Sequence, residues 1–138
     1  MAVEPTDTSD RASLSNREVA ERFVELFHRQ DRMREAFDAW VHPDYIEHNP
    51  DAPSGREAAL AFLDEVQARH PQLHHDPKRV IHGDCFVVVH YNRRPEPGAR
   101  GSAVVDILRI ENGWIVEHWD VIQPVPDPAQ CANRNGMF

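Results

Sequence analysis

The segment 103–123 constrains the fold most strongly, because two apolar runs flank an Asn-Gly pair at 112–113. Asn-Gly between apolar runs predicts a β-hairpin. Side chains of a strand alternate between its two faces. Asp106 therefore lies on one face of the first strand among apolar residues, and His118 and Asp120 share one face of the second. The hairpin carries three ionisable residues inside otherwise apolar strands.

The turn decides whether these residues share one side of the sheet. A three-residue loop, with Gly113 in the left-handed conformation, pairs Ile110 with Trp114 and places Asp106 opposite His118. A two-residue Asn-Gly turn shifts the register by one and sends Asp106 to the other face. Both turns suit the sequence. We favour the three-residue loop, because it gathers the polar residues into one patch.

A carboxylate inside an apolar strand is costly to bury unless it is paired or neutralised. Asp106 and Asp120 are such carboxylates. Acids in these positions usually line a cavity or an interface. The hairpin therefore predicts a polar patch facing a pocket, or a hydrogen-bonded Asp-His cluster with a purely structural role.

Bulk properties exclude several classes of protein. The chain of 138 residues is the size of one domain, and its net charge of -8 argues against binding to a nucleic-acid backbone. Two cysteines do not form a disulfide framework. The N-terminus lacks the apolar stretch of a signal peptide, and no apolar run is long enough to span a membrane. We expect a cytoplasmic protein without nucleic-acid or membrane partners.

Helical patterns come first along the chain and strand patterns follow. Capping boxes at 15–18 and 54–57 predict helix starts. The predicted helices are 15–30, 32–40 and 55–69, and the predicted strands are 79–82, 85–92 and the two arms of the hairpin. We expect a flexible N-terminal arm (1–14), one domain (15–126) and a C-terminal tail (127–138). This order predicts an α+β fold with a curved antiparallel sheet packed against N-terminal helices.

Four segments resemble the SnoaL-like polyketide cyclases of the nuclear transport factor 2-like (NTF2-like) superfamily. The resemblance covers about residues 16–126, and it rests on the following sequences: Tyr-Ile-Glu-His-Asn-Pro at 45–50, Gly-Arg-Glu at 55–57, Val-Asp-Ile-Leu-Arg at 105–109, and Ile-Val-Glu-His-Trp-Asp at 115–120. It implies a cone-shaped, cystatin-like α+β barrel that encloses a pocket. It also implies a homodimer formed through the sheet.

The resemblance further implies an intramolecular aldol condensation without metal or organic cofactor. Asp120 matches the acid/base aspartate of these cyclases. Asp106 stands where the characterised cyclases have a histidine. We therefore predict Asp120 as the acid/base, His118 as an assisting group and Asp106 as the residue that fixes the His118 ring.

Six further residues are predicted to contact a small-molecule ligand. Polar contacts are predicted from the segment that follows the second helix and from the strand 85–92, and apolar walls from the helices. These residues are Tyr45, His48, Asn49, His90, Phe62 and Trp40.

Three functions remain open. The first is a cofactor-free lyase or isomerase acting on a small carbonyl compound. The second is hydrolysis, such as epoxide opening, although Arg109 is out of phase with Asp106 and points away. The third is a non-catalytic ligand-binding or scaffold module. A mixed metal site at His48, His118 and the two aspartates is disfavoured, because no zinc-type motif supports it.

Overall fold

The computed structural model describes residues 3–138. Its helical part consists of three α-helices, one π-helical turn that continues the first, and two short 3₁₀ helices at Arg11–Ser13 and Pro128–Gln130. The α-helices and the π-turn are α1 (Asn16–Val24), the π-turn (Glu25–Arg29), α2 (Met33–Trp40) and α3 (Arg56–Arg69). No helix among the described residues is long and apolar enough to cross a membrane.

A five-stranded sheet follows the order β1-β5-β4-β3-β2. The strands are β1 (Val41–Glu47), β2 (His74–His82), β3 (Phe86–Arg94), β4 (Ser102–Glu111) and β5 (Trp114–Pro124). β2 to β5 are antiparallel neighbours, and β1 pairs with β5 in parallel. The predicted α+β class is confirmed, with a mixed sheet. The buried core lies between the helices and one face of this sheet.

β1 lies between the second and third predicted helices, in a segment for which no strand was predicted. Proline at 43 and polar residues around it hid the strand from pattern analysis. Strand β2 also begins earlier than predicted, at His74, and an irregularity between Pro77 and Arg79 interrupts its pairing. β1 adds a strand to the sheet, and the earlier start of β2 makes that strand longer. The sheet therefore extends further around the site described below.

The two predicted capping boxes have different outcomes. At α1 the Ser15 side chain accepts from the Glu18 amide, and the Glu18 carboxylate accepts from Ser15, as predicted. At α3 the cap is Gly55, with φ of 88° and no side-chain cap. Ser54 instead donates to the Tyr45 carbonyl and accepts from the Glu47 amide. The second predicted capping box was wrong, because the Ser54 side chain bonds to the backbone of β1 and not to the first turn of α3.

The β4–β5 hairpin also departs from the prediction. Glu111 pairs with Trp114, so the turn has two residues, and both Asn112 and Gly113 have positive φ. The preferred three-residue loop was wrong. A bulge at Val116 then adds one residue to β5 and shifts the register again.

The two-residue turn and the bulge each shift the register by one residue. The turn alone would have moved Asp106 to the opposite face from His118 and Asp120, and the bulge reverses that change. Asp106 pairs with Asp120, and Leu108 pairs with His118, in place of the predicted partners. Asp106, His118 and Asp120 therefore lie on the same side of the sheet, as expected. Trp114 lies before the bulge and does not share that side.

The N-terminal residues pack against the domain. The Trp40 indole donates to the Pro5 carbonyl at 2.6 Å. The Arg11 guanidinium lies over the Trp114 ring, with 3.5 Å to the ring centroid, and donates to the Gly113 carbonyl. At the other terminus, Phe138 stacks on His90.

Candidate functional site

A cavity of about 470 Å³ lies between the helices and the inner face of the sheet. Its walls are largely apolar side chains from the helices, and its polar groups come mainly from the strands. Polar lining residues are Glu47, Asn49, Asp51, Arg69, His70, His75, Tyr91, Arg93, Ser102, Asp106, His118 and Asp120. A concave apolar pocket with a few convergent polar groups is typical of a small-molecule site.

A continuous chain of hydrogen bonds crosses the cavity wall. His28 Nε2 lies 2.8 Å from Asp106 Oδ2, and Asp106 Oδ1 lies 2.9 Å from His118 Nε2. The other nitrogen of the same ring, His118 Nδ1, lies 2.7 Å from Glu47 Oε1. The chain ends at Tyr45, whose hydroxyl donates to Glu47 Oε2 at 2.6 Å. Residues from the π-turn, β1, β4 and β5 are thereby held together.

His118 is protonated between two carboxylates. Burial alone would lower its pKa, but the charges and hydrogen bonds of Asp106 and Glu47 outweigh this and raise the pKa to about 10. Burial likewise opposes ionisation of Asp106, yet His118 and His28 hold the pKa of that carboxyl well below its usual range. The site therefore contains a buried imidazolium ion with both N–H groups already engaged.

His28 is the neutral member of the chain. It is fully buried, and desolvation lowers its pKa despite the contact with Asp106. Its Nδ1 makes no hydrogen bond within residues 3–138, which fits a ring that donates through Nε2 only. The π-turn places this ring beside the cavity wall, and π-turns are frequent at functional sites.

Asp120 stands apart from the ionic chain. Its carboxylate accepts from Asn49 Nδ2 at 3.0 and 2.8 Å, and it is half-buried in the cavity. Burial raises the pKa of Asp120 above its ordinary value, and the nearby carboxylates add to this. The Asn49 hydrogen bonds and the charge of His118 limit the rise. Asp120 is thus a partly exposed carboxylate that takes up a proton more readily than an ordinary aspartate.

Two tyrosines complete the polar wall. Burial and the neighbouring carboxylates raise the pKa of Tyr45 and of Tyr91, so both hydroxyls stay protonated. Tyr45 donates to Glu47, and the Tyr91 ring packs edge-on against His28 with centroids 4.9 Å apart. They support the ionic groups and do not act as bases.

Asp106, His118 and Asp120 each present one ligand atom within 4.8 Å of the others. Such a group is the minimum for a metal ion. In this structure, however, both ring nitrogens of His118 already lie at carboxylate oxygens. A metal ion binds a deprotonated ring nitrogen, so binding here would require release of a proton from His118 and loss of one of these hydrogen bonds.

Of the predicted site residues, six line the cavity and three lie elsewhere. Those lining it are Asp120, His118, Asp106, Tyr45, Asn49 and Phe62. His48 lies on the outer side of the sheet, where Nε2 is 2.7 Å from Glu117 and the ring stacks on Trp119. His90 also faces outward, against Arg79 and Phe138, and Trp40 is fully buried in the core.

Sequence analysis missed Glu47, His28 and Tyr91, which form or support the hydrogen-bonded chain. Glu47 lies within the resembling segment 45–50, and its signal was alternation. Had β1 been predicted, Tyr45 and Glu47 would have been placed on one face and His48 on the other. The burial of His28 in a helix gave no such signal.

The family profile of the SnoaL-like domain matches residues 20–118, which is most of the chain. The chain belongs to the SnoaL-like family. No curated protein matches it at a significant level.

Solved structures show the same fold as this SnoaL-like chain at low sequence identity. TsrD from Streptomyces laurentii is 21% identical, covers 77% of this chain and 86% of its own, and gives a TM-score of 0.59. IdmH from Streptomyces antibioticus, a candidate polyketide cyclase, is 19% identical, with coverages of 79% and 92% and a TM-score of 0.60. A cystatin-like protein of unknown function from Xanthomonas campestris is 18% identical, with coverages of 79% and 91% and a TM-score of 0.65.

Proposed function

We propose that this SnoaL-like protein is a cofactor-independent lyase or isomerase that acts on a small carbonyl compound. The observation that supports this most directly is Asp120, a half-buried carboxylate in an apolar cavity whose pKa is raised. A general base works best when its pKa approaches the working pH. The partial burial of Asp120 shifts its pKa in that direction.

The proposed reaction begins when Asp120 takes a proton from the carbon next to a carbonyl group. The electron pair of the broken C–H bond forms an enolate, whose negative charge develops on oxygen. In an aldol step this enolate attacks a second carbonyl carbon, and the oxygen of that carbonyl takes the proton. In an isomerisation of an unsaturated ketone the conjugated enolate is reprotonated at a different carbon. Asp120 returns the proton, so atoms and charge balance without a co-reactant.

His118 provides a fixed positive charge for the enolate. Its ring lies within 4.8 Å of Asp120, and its protonated state is maintained by Asp106 and Glu47. Because both N–H groups are engaged, His118 acts through its charge and not by donating a hydrogen bond to substrate. Charges fixed in advance stabilise a developing oxyanion without reorganisation.

The hydrolytic alternative has less support. Epoxide opening would need an arginine between two acids in the cavity. Arg109 instead lies on the outer side, where it pairs with Glu111 and Glu117 at 2.9 Å each. The ligand-binding alternative differs from our proposal in one respect, which is whether Asp120 removes a proton.

The test is solvent deuterium exchange, which requires no knowledge of the natural substrate. Acetophenone, cyclohexanone and other small ketones are incubated with the protein in D₂O, and loss of their α-proton signals is followed by NMR. We expect wild-type protein to accelerate exchange of at least one ketone, and Asp120→Asn to reduce that rate by about 10²-fold or more.

The matched control is His48→Gln, which removes a carboxylate-paired histidine outside the cavity. It is expected to exchange at the wild-type rate. Ketones that bind without any accelerated exchange would instead identify a non-catalytic ligand-binding module.

We further propose that the protein forms a homodimer through the outer face of its sheet. Large apolar side chains on that face are exposed: Val121 by 65%, Ile81 by 56% and Phe86 by 39%. An exposed apolar patch on a folded domain is typical of an interaction surface. A cytoplasmic location stays a prediction from sequence.

A further inference from the structure

The cavity is asymmetric in charge. One end holds Glu47, Asp106 and Asp120, with His118 as their counter-charge. With Asp120 ionised, before reaction, this end carries net negative charge and would repel a carboxylate of a ligand. The enolate of the proposed reaction forms only as Asp120 is neutralised by the proton it takes, so it adds no charge to this end. Arg93 lines the cavity beyond it, on the inner face of β3.

The Arg93 side chain has no hydrogen-bond or ion-pair partner in the described part of the chain. Among residues 3–138 no carboxylate or carbonyl lies within hydrogen-bond or ion-pair distance of its guanidinium, and its side chain is only partly exposed. Nearby arginines are engaged: Arg94 lies 3.5 Å from Asp76, and Arg100 donates to the Val125 carbonyl. The other cavity arginine, Arg69, pairs with Glu65.

His75 lies directly across the sheet from Arg93 and lines the same cavity. Its Nδ1 lies 2.9 Å from Asp31, and its backbone amide donates to the same carboxylate. These bonds fix the ring, and its Nε2 makes no hydrogen bond within the described part of the chain. A second nitrogen is therefore available beside the guanidinium.

The wall around Arg93 is tightly packed. Gly101 lies next to Ser102, the cross-strand partner of Arg93. A Cβ at Gly101 would approach the Arg93 carbonyl to 2.6 Å and the Asn92 side chain to 2.2 Å. Asn92 also donates to the Arg100 carbonyl at 3.2 Å. The connection between β3 and β4 is thus packed tightly against the end of β3.

The pairing of residues between strands gives the distance between the acidic end of the cavity and Arg93. Val89 pairs with Asp106, which pairs with Asp120, and Arg93 follows Val89 by four residues. At a rise of about 3.3 Å per residue, the Arg93 backbone lies roughly 13 Å along the strand from this row. A ligand that reaches both ends must therefore be elongated.

We propose that Arg93 binds a carboxylate of the substrate, so that the substrate class is an elongated oxo acid with its carbonyl at Asp120. This inference rests on the proposed function for the carbonyl end, whereas the carboxylate end is independent of it. Arginine recognises a carboxylate through two parallel N–H donors, and a partly desolvated site strengthens the contact. The charge asymmetry then fixes which end of the substrate reaches the base.

The test compares binding of straight-chain carboxylates of four to ten carbons with binding of the corresponding amides, by isothermal titration at pH 7. We expect at least one carboxylate to bind more tightly than its amide. Arg93→Gln is expected to remove this preference and to weaken carboxylate binding by about tenfold or more. Arg93→Lys is expected to retain part of it.

Arg94→Gln is the matched control, because it removes the same charge one residue away, at a side chain paired with Asp76 outside the cavity. It is expected to bind carboxylates as wild type does. The proposal is overturned if no carboxylate in the series binds more tightly than its amide, or if Arg93→Gln keeps the preference. Either result leaves the deuterium-exchange test of Asp120 unaffected.

Discussion

His118 Nε2 lies 2.9 Å from Asp106 Oδ1, although the two residues are not cross-strand partners. The contact is diagonal: Leu108 pairs with His118, and Asp106 pairs with Asp120. Diagonal neighbours on one face of a sheet are close enough for long side chains to meet. Asp106 can thereby hold the imidazolium ion of His118. Asp120, the next residue on that face of β5, stays available in the cavity.

Because His118 is charged in the folded protein, the free energy of unfolding is expected to change with pH in the alkaline range. Its ordinary pKa is 6.5 and its folded pKa is about 10, so its contribution is complete below pH 6.5 and is lost as pH rises toward 10. Over that interval the free energy of unfolding should fall with a slope approaching about 1.4 kcal/mol per pH unit. Urea denaturation of wild type and His118→Gln at several pH values measures the difference.

The control for this slope is His48→Gln, whose histidine pairs with Glu117 on the outer side. Its pH dependence should match that of wild type. An identical alkaline slope in the His118→Gln protein would mean that His118 is neutral in the folded state.

Asp120→Asn should stabilise the protein at neutral pH. Because burial raises the pKa of Asp120, its ionised form costs stability at every pH above the ordinary value of 3.8. The amide removes that cost and can still accept from Asn49. We expect a rise in melting temperature of about 2–5 °C at pH 7.

Calorimetry at pH 7 and near pH 3 checks this prediction. The gain should disappear at the lower pH, where the wild-type carboxyl is protonated. Asp44→Asn, a change at an exposed carboxylate on β1, should leave the melting temperature unchanged at both pH values. A lower melting temperature for Asp120→Asn at pH 7 would show that the carboxylate is a stabilising structural group.

Gly113→Ala should destabilise the protein more than Gly98→Ala. Both glycines have positive φ, 81° and 83°, so each substitution incurs strain of about 1–2 kcal/mol. A Cβ at Gly113 would also lie 2.5 Å from Arg11 Cγ and 2.9 Å from the Arg11 carbonyl, whereas Gly98 has open space. Urea denaturation gives both values, and equal losses would show that Arg11 moves away freely.

Val121→Arg should convert the proposed dimer to a monomer. Val121 is 65% exposed and faces away from the cavity, so a charge there costs nothing in the monomer but opposes apolar contact between two sheets. Sedimentation velocity measures the assembly state. Asp127→Arg reverses a charge in the C-terminal tail and should leave the dimer intact. A monomeric wild-type protein would contradict the proposed dimer.

Local patterns predicted the elements that depend on neighbouring residues. The α1 capping box and the hairpin arms follow from short-range chemistry. The shared face of Asp106, His118 and Asp120 was predicted correctly, but for the wrong reason. A bulge cannot be read from alternation, because it inserts a residue only where tertiary packing favours it.

The rest of the site depends on contacts between distant segments. His28 and Asp106 are 78 residues apart, and a histidine on a buried helix face is indistinguishable from a core residue by pattern. Because β1 is an extended strand, the Glu47 side chain points inward and that of the next residue, His48, points outward. The parallel pairing of β1 with β5 has no local signal, because the two strands are far apart in the chain.

The position of His28 depends on the number of residues in the π-turn at Glu25–Arg29. Its hydrogen bond from the Gln30 amide to the Glu25 carbonyl spans five residues, one more than in an α-helix. Removing one residue there would restore α-helical winding and change which side chains of the turn face the sheet. The contact between His28 and Asp106 is therefore expected to depend on the number of residues in the turn as well as on the histidine itself.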